Sequence, residues 1–187
     1  MGDGGRHGSH GEDAPVRVRE GTIDDAAAMA RLINGVIAEG APVLLTGSFS
    51  NDEERDFLAT LSPRGGFHVV EPRAPGAAAA EAAPVIVAAQ VFAPYAAGMP
   101  VHDHVAVMGT WVDAAWRRRG LGRALWERTA AVARERGFTR VFTDVRADNS
   151  ASLAFHRTLG FTVAGVARGQ AVVEGRAYDV VFIERGL

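Results

Sequence analysis

The sequence predicts one α/β domain, and three observations predict it. The 187 residues are 48% hydrophobic and 22% charged, the composition of an ordinary soluble domain with one sizeable core. Short apolar runs alternate with residues of helical spacing along the whole chain from Val16 onward. From Val105 the order is strand, helix, strand, helix, which implies a parallel pair of strands joined by a crossover helix.

Val16-Arg17-Val18-Arg19 alternates as a first strand. Thr22 followed by Asp25 starts a helix whose apolar face is Met29, Leu32, Ile33, Val36 and Ile37, and Gly40 stops it. Ser50-Asn51-Asp52-Glu53 has the spacing of a capping box, opening a short helix with Phe57, Leu58 and Leu61 inward and Pro63 at its end. Strands are expected over Phe67 to Glu71 and Val85 to Phe92, joined by an Ala/Pro-rich surface connection from Pro72 to Pro84. Val105 to Val112 is the next strand. Leu121, Leu125, Val132 and Ala133 give the following helix one apolar face, closed by Gly137. A strand over Arg140 to Arg146, a helix from about Ser150 to Leu159 between Asp148-Asn149 and Gly160, and strands over Val163 to Val173 and Tyr178 to Glu184 complete the chain. The earlier and final strands are expected to be antiparallel.

Composition removes several chemistries. All 20 basic residues are Arg, so there is no Schiff-base lysine and no phosphate loop ending in Gly-Lys. Without Cys there is no disulfide, thiolate nucleophile or Cys-ligated metal. A net charge of -2 gives no global pull toward nucleic acid or an anionic membrane, and the arginine run lacks an accompanying array of aromatics. Residues 1–15 carry no apolar run and are expected to be a disordered tail ahead of one domain over 16–187; His7 and His10 there make a poor metal site. Ala82 to Val101 is uncharged and about the length of a membrane span, but Pro84, Pro94 and Pro100 break it, and a cytoplasmic protein is expected.

The most informative stretch runs from Thr110 to Leu125. Two glycines, Gly120 and Gly122, at a helix start aim unsatisfied backbone N–H groups one way, where the helix dipole adds about half a positive charge. A Cβ at either glycine would hold a ligand off the main chain. Arg117, Arg118, Arg119 and Arg123 raise the local potential and fork onto phosphate oxygens. The pattern suits a pyrophosphate. A nicotinamide-dinucleotide site would instead want glycine directly after the strand and a third glycine where Leu125 stands.

At these residues the sequence resembles a family. Arg117-x-x-Gly120-x-Gly122 after a strand ending in Val112 resembles the acyl-CoA pyrophosphate motif of the GNAT superfamily of N-acetyltransferases. Asn149-Ser150-Ala151-Ser152-Leu153-Ala154-Phe155-His156, then Gly160-Phe161, is similar to that family's Asn-x-x-Ala/Ser…Tyr…Gly-Phe pattern. Asp144 to Asn149 resembles ribosomal-protein-alanine acetyltransferases, which have an acidic residue in the place of Asp144, and Phe155-His156 resembles the phosphinothricin acetyltransferase branch. The likeness covers about Val105 to Gly165.

The resemblance implies a GNAT-type mixed, splayed sheet of about seven strands with helices on both faces, using acetyl-CoA and no metal. It implies that main-chain groups of Thr110, Trp111 and Val112 pair with the pantetheine arm, and that Arg117, Arg118, Arg119, Gly120, Leu121, Gly122 and Arg123 hold the pyrophosphate. Asn149 would sit beside the cofactor. His156, nearly two helical turns later, shares a face with Ser152. It stands where most of the family has a Tyr that protonates the leaving thiolate, and an imidazolium would transfer its proton downhill.

The expected reaction is direct attack of a primary amine in a ternary complex, with Asp144 as general base, through water given its short side chain, and a backbone N–H on the Val105 to Val112 strand polarising the carbonyl. His104 is the second candidate base. In His102-Asp103-His104 the two imidazoles would face one way on a strand, as some metal sites require, but no third ligand is evident. The competing class is a non-catalytic acyl-CoA sensor. The acceptor is a small-molecule or peptide amine, bound by the first two helices, the Tyr95 to His104 segment and the final hairpin. The resemblance also implies a homodimer; from charge and composition no nucleic-acid or membrane partner is expected.

Overall fold

The computed structural model describes residues 16–72 and 84–187; the expected tail, with His7 and His10, and the expected surface connection after Pro72 lie outside them. The elements are β1 (Val16–Glu20), α1 (Ala26–Ala38), α2 (Asn51–Ala59), β2 (Gly66–Pro72), β3 (Ala88–Pro94), β4 (Val105–Val112), α3 (Leu121–Glu135), β5 (Arg140–Arg146), α4 (Ser150–Thr158), β6 (Thr162–Val173) and β7 (Arg176–Gly186). The seven strands form one sheet in the order β1-β2-β3-β4-β5-β7-β6. Only β4 and β5 are parallel.

The local signals act as expected at most element ends. Ser50 Oγ accepts from the Glu53 N–H at 3.1 Å and the Glu53 carboxylate accepts from the Ser50 N–H at 2.8 Å. Gly137 and Gly160 adopt left-handed φ of 86° and 84° and close α3 and α4. Asp25 does more than begin α1: it is buried, with both carboxylate oxygens held by Arg19 at 2.7 Å and one also accepting from the Thr22 N–H at 2.8 Å.

Two packing expectations are corrected. Phe57 faces solvent at 46% exposure while Glu54, one turn earlier, is buried beside Leu58, so the inward face of α2 is rotated from the one read off its apolar residues. Val85 is 61% exposed and precedes β3, whose pairing with β2 runs from Ala88 onward.

The sheet separates two layers. On one face α1 and α2 pack over Phe67, Val69, Ala89, Val91 and Trp111. On the other, α3 covers Val70, Ala88, Phe92, Ala106 and Met108, and this core continues under α4 to Val141, Val145, Val181 and Ile183. The core beneath α1 and α2 includes no residue of β5, β6 or β7. No described helix is long and apolar enough to cross a membrane.

Candidate active site

The site begins where the central ladder fails. β4 and β5 pair only from Val105–Arg140 to Val107–Phe142. One residue further, the Thr143 hydroxyl donates to the Met108 carbonyl at 2.6 Å, and beyond that the strands diverge. The His104 carbonyl accepts from Thr139 and Arg140, and the Asp113 N–H donates to Val87 on the opposite side. By alternation the main-chain groups of Thr110 and Val112 face the gap, and those of Trp111 face β3.

Past β4 the chain turns through Ala114–Trp116 and enters a loop with two left-handed residues, Arg118 (φ 60°) and Gly120 (φ 78°), the latter capping α3. Left-handed residues on both sides of Arg119 curl successive N–H groups into a concavity. Among the described residues, none of the backbone N–H groups of Arg118 to Arg123 has an acceptor. A Cβ at Gly120 would meet nothing within 4 Å, so glycine is needed there for its backbone angle. At Gly122 a Cβ would stand 2.8 Å from the Phe155 ring, so the packing of α4 on α3 calls for glycine here.

The arginines divide. Arg117 forms an ion pair with Glu39 and donates from Nε to the Val112 carbonyl at 3.0 Å, tying the loop to the end of α1 and to β4. Arg119 lies over the Trp116 ring at 4.9 Å. Arg118 and Arg123 border the adjoining cavity with no protein partner among the described residues.

That cavity, about 670 Å³, lies between this loop, the start of α4 and the segment Ala41 to Val43. A second, about 300 Å³, lies on the far side of the gap against Leu44, Leu45, Gly109 and Asp144. The two share Pro42, Val43, Thr110, Trp111, Asn149, Ser152 and His156. Asn149 caps α4 by accepting from the Ser152 N–H at 2.9 Å, while its amide donates to the Pro42 carbonyl at 3.0 Å and fastens that segment over the gap.

His156 is buried, with Phe155 and Phe161 edge-on to its ring. Its Nδ1 lies 2.9 Å from the Ser152 carbonyl, which can only accept, so Nδ1 carries the hydrogen. Burial pushes its pKa below the ordinary imidazole range, against the opposite pull of the Ser152 carbonyl. The neutral ring therefore leaves Nε2 as an acceptor.

Asp144 borders the second cavity, exposed, with no hydrogen-bond or ion-pair partner among the described residues. His104 is elsewhere: it sits in the turn before β4, at the paired end of the β4–β5 ladder, and borders neither cavity. His102 lies in a 3-10 turn, so the strand alternation expected to align it with His104 does not apply. No cluster of three metal-ligating side chains occurs among the described residues.

Sequence reasoning missed Pro42 to Leu45 and Gln90. Gln90, fully buried on β3, donates to the Thr110 hydroxyl at 2.7 Å and holds it beside the gap. A single amide inside an otherwise apolar strand was its only available signal.

Comparison with known proteins gives the family and the fold. Residues 47–161 match the acetyltransferase (GNAT) family, and the chain belongs to that family. It is 36% identical over 76 residues to the ribosomal protein bS18-alanine N-acetyltransferase of Escherichia coli K12, covering 41% of this chain; the chain spans about half (51%) of that relative. Among solved structures, the ribosomal-protein-alanine N-acetyltransferase of Brucella melitensis superposes with a TM-score of 0.75 at 21% identity, over 91% of this chain and 99% of its own. A GNAT phosphinothricin acetyltransferase of Sinorhizobium meliloti in complex with acetyl-CoA gives 0.78 at 17% identity, over 92% and 88%. These likenesses establish the mixed, splayed seven-stranded sheet as the GNAT fold.

Proposed function

We propose that this chain transfers an acetyl group from acetyl-CoA to a primary amine, with both substrates bound at once. The observation that carries the reading is the meeting of two cavities at the β4–β5 gap, one ending on the unsatisfied amides of Arg118 to Arg123 and the other on Asp144. The first has the size of a small-ligand site. The amide concavity, Arg118 and Arg123 supply the donors and charge that a diphosphate requires. Acetyl-CoA supplies an acyl thioester, activated enough for an amine to displace its thiolate directly.

The protein's own groups do the rest. Thr110 and Val112 offer gap-facing N–H groups, which extend the edge of β4 to a pantetheine amide and stabilise charge on the carbonyl oxygen. Asp144 accepts the proton that an ammonium must lose before attack, directly or through one water. His156, neutral at rest, takes a proton at Nε2 from the attacking nitrogen and returns it to the departing sulfur; one proton is carried and none is stored.

The test is turnover of acetyl-CoA with a panel of amines. Asp144→Asn and His156→Phe are each expected to lower kcat by about 100-fold while CoA still raises the Tm. Unchanged turnover in both variants overturns the assigned roles. CoA binding without turnover of any amine makes the protein an acyl-CoA sensor, and a Tm rise with NAD in place of CoA overturns the cofactor.

A further inference from the structure

Asp144, in the lining of the second cavity, stands on a sheet face that no helical core covers. Four rings cross it in sequence: His102 lies edge-on to Tyr95 at 5.4 Å, Tyr95 edge-on to Phe142 at 5.3 Å, and Phe142 stacks on Phe182 at 5.5 Å and 15°. Phe182 stands directly opposite Asp144 in the β5–β7 register, and Phe142 is two residues before Asp144, so all three share one face. None of these rings belongs to a core cluster. Tyr95 is 46% exposed and Phe142 and Phe182 are half-buried, so apolar surface is held open beside a carboxylate.

The charges of this face are disposed of in pairs. Arg140 at one end of β5 pairs with Glu184 at 3.5 Å. Arg146 at the other end binds both oxygens of Asp148 at 2.7 and 3.0 Å and lies over Tyr178 at 4.2 Å. Between them Asp144 keeps an unpaired negative charge. Among the described residues the second cavity has no other carboxylate, and its sole cation is Arg146, already held by Asp148.

We infer that the acceptor is a small amine with an uncharged aryl or branched alkyl substituent and no carboxylate on the carbon that bears the nitrogen. This rests on the acetyl-transfer reading above and names its substrate class. Asp144 attracts the ammonium, and the ring faces beside it add to that attraction and cover the substituent. A free α-amino acid would bring its carboxylate against Asp144 with no unpaired arginine to receive it, a like-charge contact that costs binding. The cavity of about 300 Å³ takes the nitrogen end at Asp144, and the rings, which stand outside its lining, take the substituent.

The test compares phenylalaninamide with phenylalanine, which differ only at that carboxyl group, and with alaninamide, which lacks the ring. Phenylalaninamide is expected to exceed phenylalanine in kcat/KM by at least about tenfold and alaninamide by about fivefold. Phe182→Ser should raise KM for phenylalaninamide about fivefold with little change in kcat, a split that general loss of structure would not give. Val172→Ser, on the same hairpin outside the row, serves as the control. Equal use of phenylalanine and its amide, or full preference for phenylalaninamide over alaninamide retained in Phe182→Ser, overturns the inference alone. A tripeptide amide beginning with Phe, if preferred over phenylalaninamide by more than about tenfold, replaces the small amine with a chain terminus. No turnover of any amine, with CoA still raising the Tm, overturns the enzyme reading and this inference together.

Discussion

The two ends of the site are built from different material. At the Arg118–Arg123 end the ligand-facing groups are main-chain amides, placed by two left-handed residues and a helix start that lie within a few positions of each other. At the Asp144 end they are side chains from β5, β7 and the turn after β3, brought together by strand register and chain reversal. The comparison teaches that a site made of local backbone geometry is sensitive to sterics, whereas one made of register is sensitive to side-chain chemistry.

The sharpest way to break this contrast is at Gly122. Gly122→Val drives side-chain atoms into the Phe155 ring and should lower acetyl-CoA kcat/KM by about 100-fold, with a fall in Tm. Pairing Gly122→Ala with Phe155→Leu should recover part of what Gly122→Ala loses; no recovery would mean that the glycine serves the ligand directly. Next in size, Arg118→Ala should weaken CoA binding about tenfold by calorimetry with Tm unchanged. Arg117→Ala should instead lower the Tm, because its guanidinium is spent on Glu39 and the Val112 carbonyl. Equal effects of the two on CoA affinity would erase the distinction between cradle and buttress.

The smallest effect lies in α2, which follows the segment roofing the gap. Burial pushes the Glu54 carboxyl above its ordinary range, and Oε1 has no partner. The folded state therefore favours the protonated form, so stability is lost as pH rises from the unfolded pKa toward the higher folded one. Glu54→Gln should raise the Tm by a few degrees, about 2–4 °C, near pH 7.5, with the advantage disappearing near pH 4. A thermal-melt series across that range checks the sign.

Legibility in the sequence follows the same division. Helix ends were readable because Ser50 with Glu53, Asn149, Gly137 and Gly160 act within a turn of where they stand. The residues around Thr110, Gly120, Asn149 and His156 that motif spacing singles out are brought onto one cavity. What could not be read is long-range. Phe182 faces Asp144 from 38 positions away through the β5–β7 register, and Pro42 meets Asn149 across 107 positions. Phe57 and Glu54 exchange burial because tertiary packing overrides the polarity of a short helix. The direction of His156 as acceptor depends on one carbonyl, Ser152, whose position only the folded helix supplies.

Phe142, Asp144 and Phe182 stand outside all three packed clusters, so replacing them opens no void in the interior. Choice of acceptor is thereby insulated from the molecule's ability to fold. A lineage, or an engineer, can retool this face residue by residue while the cofactor end stays as it is.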